Sequence, residues 1–125
     1  MPWNLHLYFR AAYTLPSCTN NKLTLTTKQQ IITCDGLMPD QSMYWTTSGA
    51  NGPEKRVAEC GACRTDGSCD CSVTDRDFRV TRTQTAGQLQ MVDKARQKDG
   101  QTLKCSHGHN VTQASCVIKA DCEHC

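Results

Sequence analysis

Ten cysteines in 125 residues are the side chains best equipped for chemistry in this chain. A thiol can be oxidised to a disulfide, can give its thiolate to a metal, or can act as a redox nucleophile. Spacing sorts these uses. Cys60, Cys63, Cys69 and Cys71 lie close together. Four thiolates suit a tetrahedral zinc ion, and Cys-x-x-Cys is one arm of many such sites. The second arm, Cys69-x-Cys71, is shorter than usual. Gly61, Asp66, Gly67 and Ser68 make the intervening chain rich in turn formers. Two small disulfides are therefore the preferred reading over zinc. Cys69 and Cys71 face the same side of an extended segment, so the first-choice pairs are Cys60 with Cys69 and Cys63 with Cys71.

The other constellations are weaker. Cys122-x2-Cys125, with His124 between, can be read as a redox or metal pair, as can His107-x-His109. A redox Cys-x-x-Cys normally opens a helix in a βαβ setting, and nothing in the flanking sequence supplies one. The default is a bridge between Cys122 and Cys125, or from each to a segment outside this chain. His107 and His109 fall in a glycine-containing turn and read as solvated. Asn110-Val111-Thr112 is an N-glycosylation acceptor in a surface turn. There is no Gly-x-Ser-x-Gly, no His-Glu-x-x-His and no glycine-rich phosphate loop, so the expectation is a chain that is not an enzyme and needs no cofactor.

These residues must be positioned by strands. Lys22–Thr26, Gln30–Cys34, Ser42–Thr47, Asp77–Thr83, Gln88–Val92, Gln101–Cys105 and Gln113–Ala120 alternate apolar and polar residues. Asp35-Gly36, Ser48 to Pro53, Ala86-Gly87, Asp99-Gly100 and Gly108-His109-Asn110 separate them as turns. Met91–Lys98 reads as a turn with one helical loop at most. Many short strands in one domain's length of chain predict a β-sandwich. Only 38% of residues are hydrophobic, with cysteine counted, so disulfides are expected to supplement a thin core. That density of cysteine points to an oxidising, extracellular compartment. A net charge of +2 with interspersed signs gives no case for nucleic acid. The segment Met1–Pro16 is interrupted by Asn4, His6 and Arg10 and makes a poor signal peptide. No stretch is long and apolar enough to span a membrane, so membrane attachment is expected only through a segment not present here.

Cys34, then Trp45, then Cys105, with Phe78-Arg79-Val80-Thr81-Arg82-Thr83, Leu89-Gln90-Met91 and Asp99-Gly100-Gln101-Thr102-Leu103-Lys104-Cys105, resembles the immunoglobulin-like domains of invertebrate surface receptors and secreted recognition proteins. The resemblance covers about Cys18 to Lys119. It implies an all-β, immunoglobulin-like antiparallel sandwich with additional disulfides, in which a Cys34–Cys105 bridge joins the sheets and Trp45 packs on it. It also implies first and last strands close enough for Cys18 to meet Cys116. Two departures stand out. Leu103 occupies the place of the usual tyrosine before the second cysteine, and the four-cysteine insertion is foreign to ordinary domains of this kind. The expected organisation is an extended segment over 1–17, the domain over 18–120 and a cysteine-containing tail over 121–125. The expected function is an extracellular recognition or adhesion module of a larger receptor or secreted protein, binding a protein or glycan ligand. A free secreted disulfide-rich effector and an intracellular zinc-binding domain are the rivals. Gly49–Asp75, holding little to bury beyond Val57 and Val73, is expected to be a cross-linked surface loop, with Arg64 and Asp66 exposed at a contact tip.

Overall fold

A computed structural model of the chain describes residues 11–19, 22–92 and 99–122. Among them the regular elements are strands: β1 (Ala11–Cys18), β2 (Leu23–Thr26), β3 (Ile31–Asp35), β4 (Met43–Ser48), β5 (Lys55–Cys60), β6 (Cys71–Val73), β7 (Phe78–Arg82), β8 (Ala86–Met91), β9 (Thr102–His107) and β10 (Val111–Cys122). Each of the seven strands read from alternation is present within a residue or two. The local signal is strong because side chains on a strand alternate faces. The expected Met91–Lys98 turn falls largely on residues 93–98, and the expected Cys122–Cys125 bridge, with His124, involves residues 123–125. Both lie outside the described residues.

The strands form two antiparallel sheets, ordered β2-β3-β8-β7 and β1-β10-β9-β4-β5-β6. Strands β2 to β10 follow the order of a variable-type immunoglobulin sandwich, four strands facing five. β1 adds an outer strand, antiparallel to β10. Residues Ala11 to Cys18 are thus hydrogen-bonded into the larger sheet. The β1–β10 register shifts between Thr14 and Ser17, where Pro16 sits. Proline gives no amide to a ladder, and an edge-strand bulge is where it does least harm.

The core lies between the sheets. Ile32, Cys34, Phe78, Leu89 and Met91 from one face Met43, Trp45, Leu103, Cys105, Cys116 and Ile118 from the other. Cys34 and Cys105 are bonded across the gap, with 6.4 Å between their Cα atoms. Trp45 pairs with Cys105 on the neighbouring strand and is 0% exposed. Its Nε1 has no acceptor among the described residues, so packing alone holds the ring. Gly87 lies opposite Cys34 in the β3–β8 register, and a Cβ there would come within 2.6 Å of Met43 Cε. A side chain at this position would push into the packing around the bridge. Leu103, in the usual tyrosine position, is fully buried.

The segment expected to be a loop is not one. Within Gly49–Asp75, β5 pairs with β4 and β6 pairs with β5, and Val57, Ala58 and Cys60 are buried. Val57 is the extra residue where the β4–β5 register shifts, opposite Trp45 and Thr46. A bulge takes two residues through one step of the ladder, so the simple alternation needed to recognise this strand is broken.

Candidate functional site

The six-stranded sheet carries a disulfide at each edge. Cys18 lies directly opposite Cys116 in the β1–β10 register and Cys60 opposite Cys71 in the β5–β6 register. Both pairs are bonded, with Cα separations of 4.1 and 4.0 Å. Edge strands are where a sheet frays or accepts stray pairing, and here both are covalently tied to their neighbours. The expected pairing of the insertion is corrected: Cys60 bonds Cys71 and Cys63 bonds Cys69. The hairpin is the reason. Once Cys60 and Cys71 face each other, Gly61 bonds Asp70 through the backbone, and the inner cysteines meet within the larger ring. A crossed pairing would break that ladder. Sulfur engaged this way has no thiolate to offer zinc.

The hairpin tip is ordered from within. Arg64 donates to Ser68 Oγ at 3.0 Å and forms an ion pair with Asp70. Asp66 Oδ1 accepts from the Ser68 hydroxyl at 2.6 Å and its amide at 2.9 Å. Arg64 and Asp66 are exposed as expected, but their polar atoms are occupied by the loop itself. The Ser68 hydroxyl, helped by its amide, holds the Asp66 carboxyl below its ordinary value of 3.8. A lowered folded value means that the contribution is complete above the ordinary value and is lost as pH falls through the folded one. Followed by NMR, the Ser68 amide is expected to titrate with a midpoint below 3.8, and to lose that transition in Asp66→Asn. A midpoint at or above the ordinary value would show that these bonds are not kept in solution.

The outer face of the six-stranded sheet presents a different arrangement. Tyr44 must point outward because its neighbours Met43 and Trp45 point in. The Arg56 guanidinium lies 4.0 Å from the centre of the Tyr44 ring, and Arg56 is paired with Glu59 at 3.1 Å. The Tyr44 hydroxyl donates to Asn110 Oδ1 at 2.7 Å. Lys104 on β9 pairs with Glu54. Tyr44, Arg56, Asn110, Lys104 and Glu54, with Thr46, line a shallow depression of about 360 Å³. A ring held by a cation on its face and an amide at its hydroxyl has little freedom left to lose. Chemically, such a surface offers directed hydrogen bonds and a pre-formed aromatic contact. Sequence reading named Asn110 but missed Tyr44, Arg56, Lys104 and Glu54 as a group. Only outward-facing Tyr44, beside inward-facing Trp45, carried a local signal.

Asn110 sits exposed in the β9–β10 turn at φ 64°, a conformation that asparagine tolerates better than most residues. His109 is exposed, whereas His107 is half-buried and shares a 2.7 Å hydrogen bond from Nδ1 with Gln41 Oε1. The other missed residue is Arg82, 8% exposed at the end of β7. It donates to the carbonyls of Met38, Gln41, Gly61 and Thr83 and so ties the β3–β4 connection and the end of β5 to the opposite sheet. Gln113, the extra residue of a β10 bulge, does similar work by donating to Asp35 and Gly36 at 2.8 and 3.0 Å.

Multiple disulfides of this kind point to an extracellular or secreted setting, because cytosolic thiols are kept reduced. No known protein-family model matches the chain, and no curated protein matches it either.

Proposed function

We propose that this chain is an extracellular recognition module that acts by binding rather than catalysis, and that the outer face of the six-stranded sheet, centred on Tyr44, is its contact surface. The observation carrying this reading is Tyr44 fixed between Arg56 and Asn110 on a sheet tied at both edges. Tyrosine and arginine dominate the energetics of protein interfaces, and a pre-ordered contact loses little entropy on binding. The ligand is a protein or a glycan, and the module belongs to a larger cell-surface or secreted protein of the kind its sequence resembles. Asn110, exposed and followed by Val111-Thr112, is also an acceptor for an N-linked glycan, and because it lines the depression a glycan there would cover part of this face.

Screening the purified chain, presented as a tetramer, against arrays of extracellular proteins and of glycans tests the reading. The expected result is a saturable ligand whose affinity falls about tenfold or more, ~1.4 kcal/mol, in Tyr44→Ala. Lys28→Ala, in the exposed β2–β3 turn, is expected to bind as the parent does. No ligand in either array, or one indifferent to Tyr44→Ala, removes this surface from consideration.

A further inference from the structure

A second cavity, sharing only Arg56 with the lining of the Tyr44 depression, opens at the end of the sandwich. Its volume is about 500 Å³, within the range of roughly 300–1,000 Å³ typical of small-ligand sites. One wall is the β4–β5 turn, closed by a hydrogen bond from Gly52 to Gly49. The other is the turn after β6. That turn is fastened to β5 at its bulge: the Thr74 and Asp75 amides both donate to Val57 O, at 2.9 and 3.2 Å, and Thr74 Oγ1 donates to Arg56 O at 2.9 Å. The cleft is thus built from two anchored turns.

Its charge is unbalanced. Lys55 and Arg76 line it from opposite walls, both exposed. Among the described residues, neither side chain has an ion-pair or hydrogen-bond partner. Arg56 adds a third cation at the margin, already paired with Glu59. Asp75 is the acidic residue of the lining, and its Oδ1 accepts from the Asp77 amide at 2.9 Å. Ser48 and Thr74 also line the cleft, the Thr74 hydroxyl donating to Arg56 O and keeping its acceptor lone pairs. Two cations and two hydroxyl side chains lining one cleft match an extended anion that also carries hydroxyls. The lining has no aromatic side chain and Pro53 is its exposed apolar residue, so an acidic peptide would find charge but little to anchor a side chain.

We infer that this cleft binds a sulfated saccharide, with Lys55 and Arg76 each meeting a sulfate and the hydroxyls meeting the sugar between. The inference rests on the chain being a binding module and names one ligand class for it, at a site separate from Tyr44. Contacts between exposed charges weaken as salt screens them, over about 8 Å at physiological ionic strength, so the interaction is salt-dependent.

The test is calorimetric titration of the parent chain with a heparin-derived tetrasaccharide, its desulfated counterpart and an oligoglutamate peptide, at low and near-physiological salt. Binding of the sulfated sugar alone is expected, weakening with salt. Lys55→Ala/Arg76→Ala is expected to bind at least about tenfold more weakly, while Lys28→Ala/Arg79→Ala, which removes the same charge elsewhere, retains parental affinity. Absence of binding, equal loss in both double variants, or equal affinity for the desulfated sugar or the peptide would each overturn the assignment. If the sugar fails while an array ligand sensitive to Tyr44→Ala is found, the cleft alone is rejected. If both fail, the binding-module reading goes with it.

Discussion

Chains lacking both the Cys18–Cys116 and Cys34–Cys105 bridges are expected to be unfolded at ambient temperature, whereas chains lacking either one remain folded. The two bridges are nested, with sequence separations of 98 and 71 residues. With one in place, the other closes a circuit of only ~27 residues through the existing bond, worth roughly 3.5 kcal/mol in the chain-entropy account. With neither in place, the first to form closes a loop of 71 or 98 residues, worth about 4.4 or 4.7 kcal/mol. Losing both therefore costs ~8 kcal/mol, against a total stability of about 5–15 kcal/mol for a domain. Cys34→Ala/Cys105→Ala should be the costlier single removal, because two buried sulfurs also lose their packing beside Trp45. Urea unfolding of the two double-alanine variants and the quadruple variant measures all three terms. A Cys18→Ala/Cys116→Ala midpoint indistinguishable from the parent would show that β1 contributes nothing to cooperative folding.

Arg82→Ala is expected to destabilise the fold by about 3 kcal/mol or more. Hydrogen bonds from a charged donor contribute ~1.5–3 kcal/mol each, and a buried carbonyl left unpaired costs about 1–3 kcal/mol. Four carbonyls from three segments converge on this one guanidinium. Burial lowers its pKa from the ordinary arginine value, so the charge itself is an expense that the bonds must offset. Shape therefore matters more than charge. Arg82→Lys keeps the charge, loses the planar fork, and should recover less than half of the loss. Chemical denaturation at constant m-value is the measurement. Full recovery by lysine would mean that charge, not geometry, holds these segments together.

What was legible in the sequence was what depends on neighbours in the chain. The alternation around Ile32, Trp45, Leu89 and Leu103 announces half-buried strands, because each residue's face is set by the one before it. The spacing of Cys34, Trp45 and Cys105 is readable for a related reason: it measures strand lengths and turns. What needed tertiary structure was register. Cys60 meets Cys71, rather than Cys69, because a hairpin ladder sets which residues stand opposite, and one bulge at Val57 hid the strand that begins that hairpin. Arg82 reads locally as another charged strand residue. Only the folded chain brings the carbonyls of Met38, Gln41 and Gly61 around it. The Tyr44 surface and the cleft between Lys55 and Arg76 belong to the same class, since each joins turns or strands well separated in sequence. The chain's own pattern determined the sandwich and the compartment it suits. Pairing across space decided the bonds within it and the surfaces it can offer a ligand.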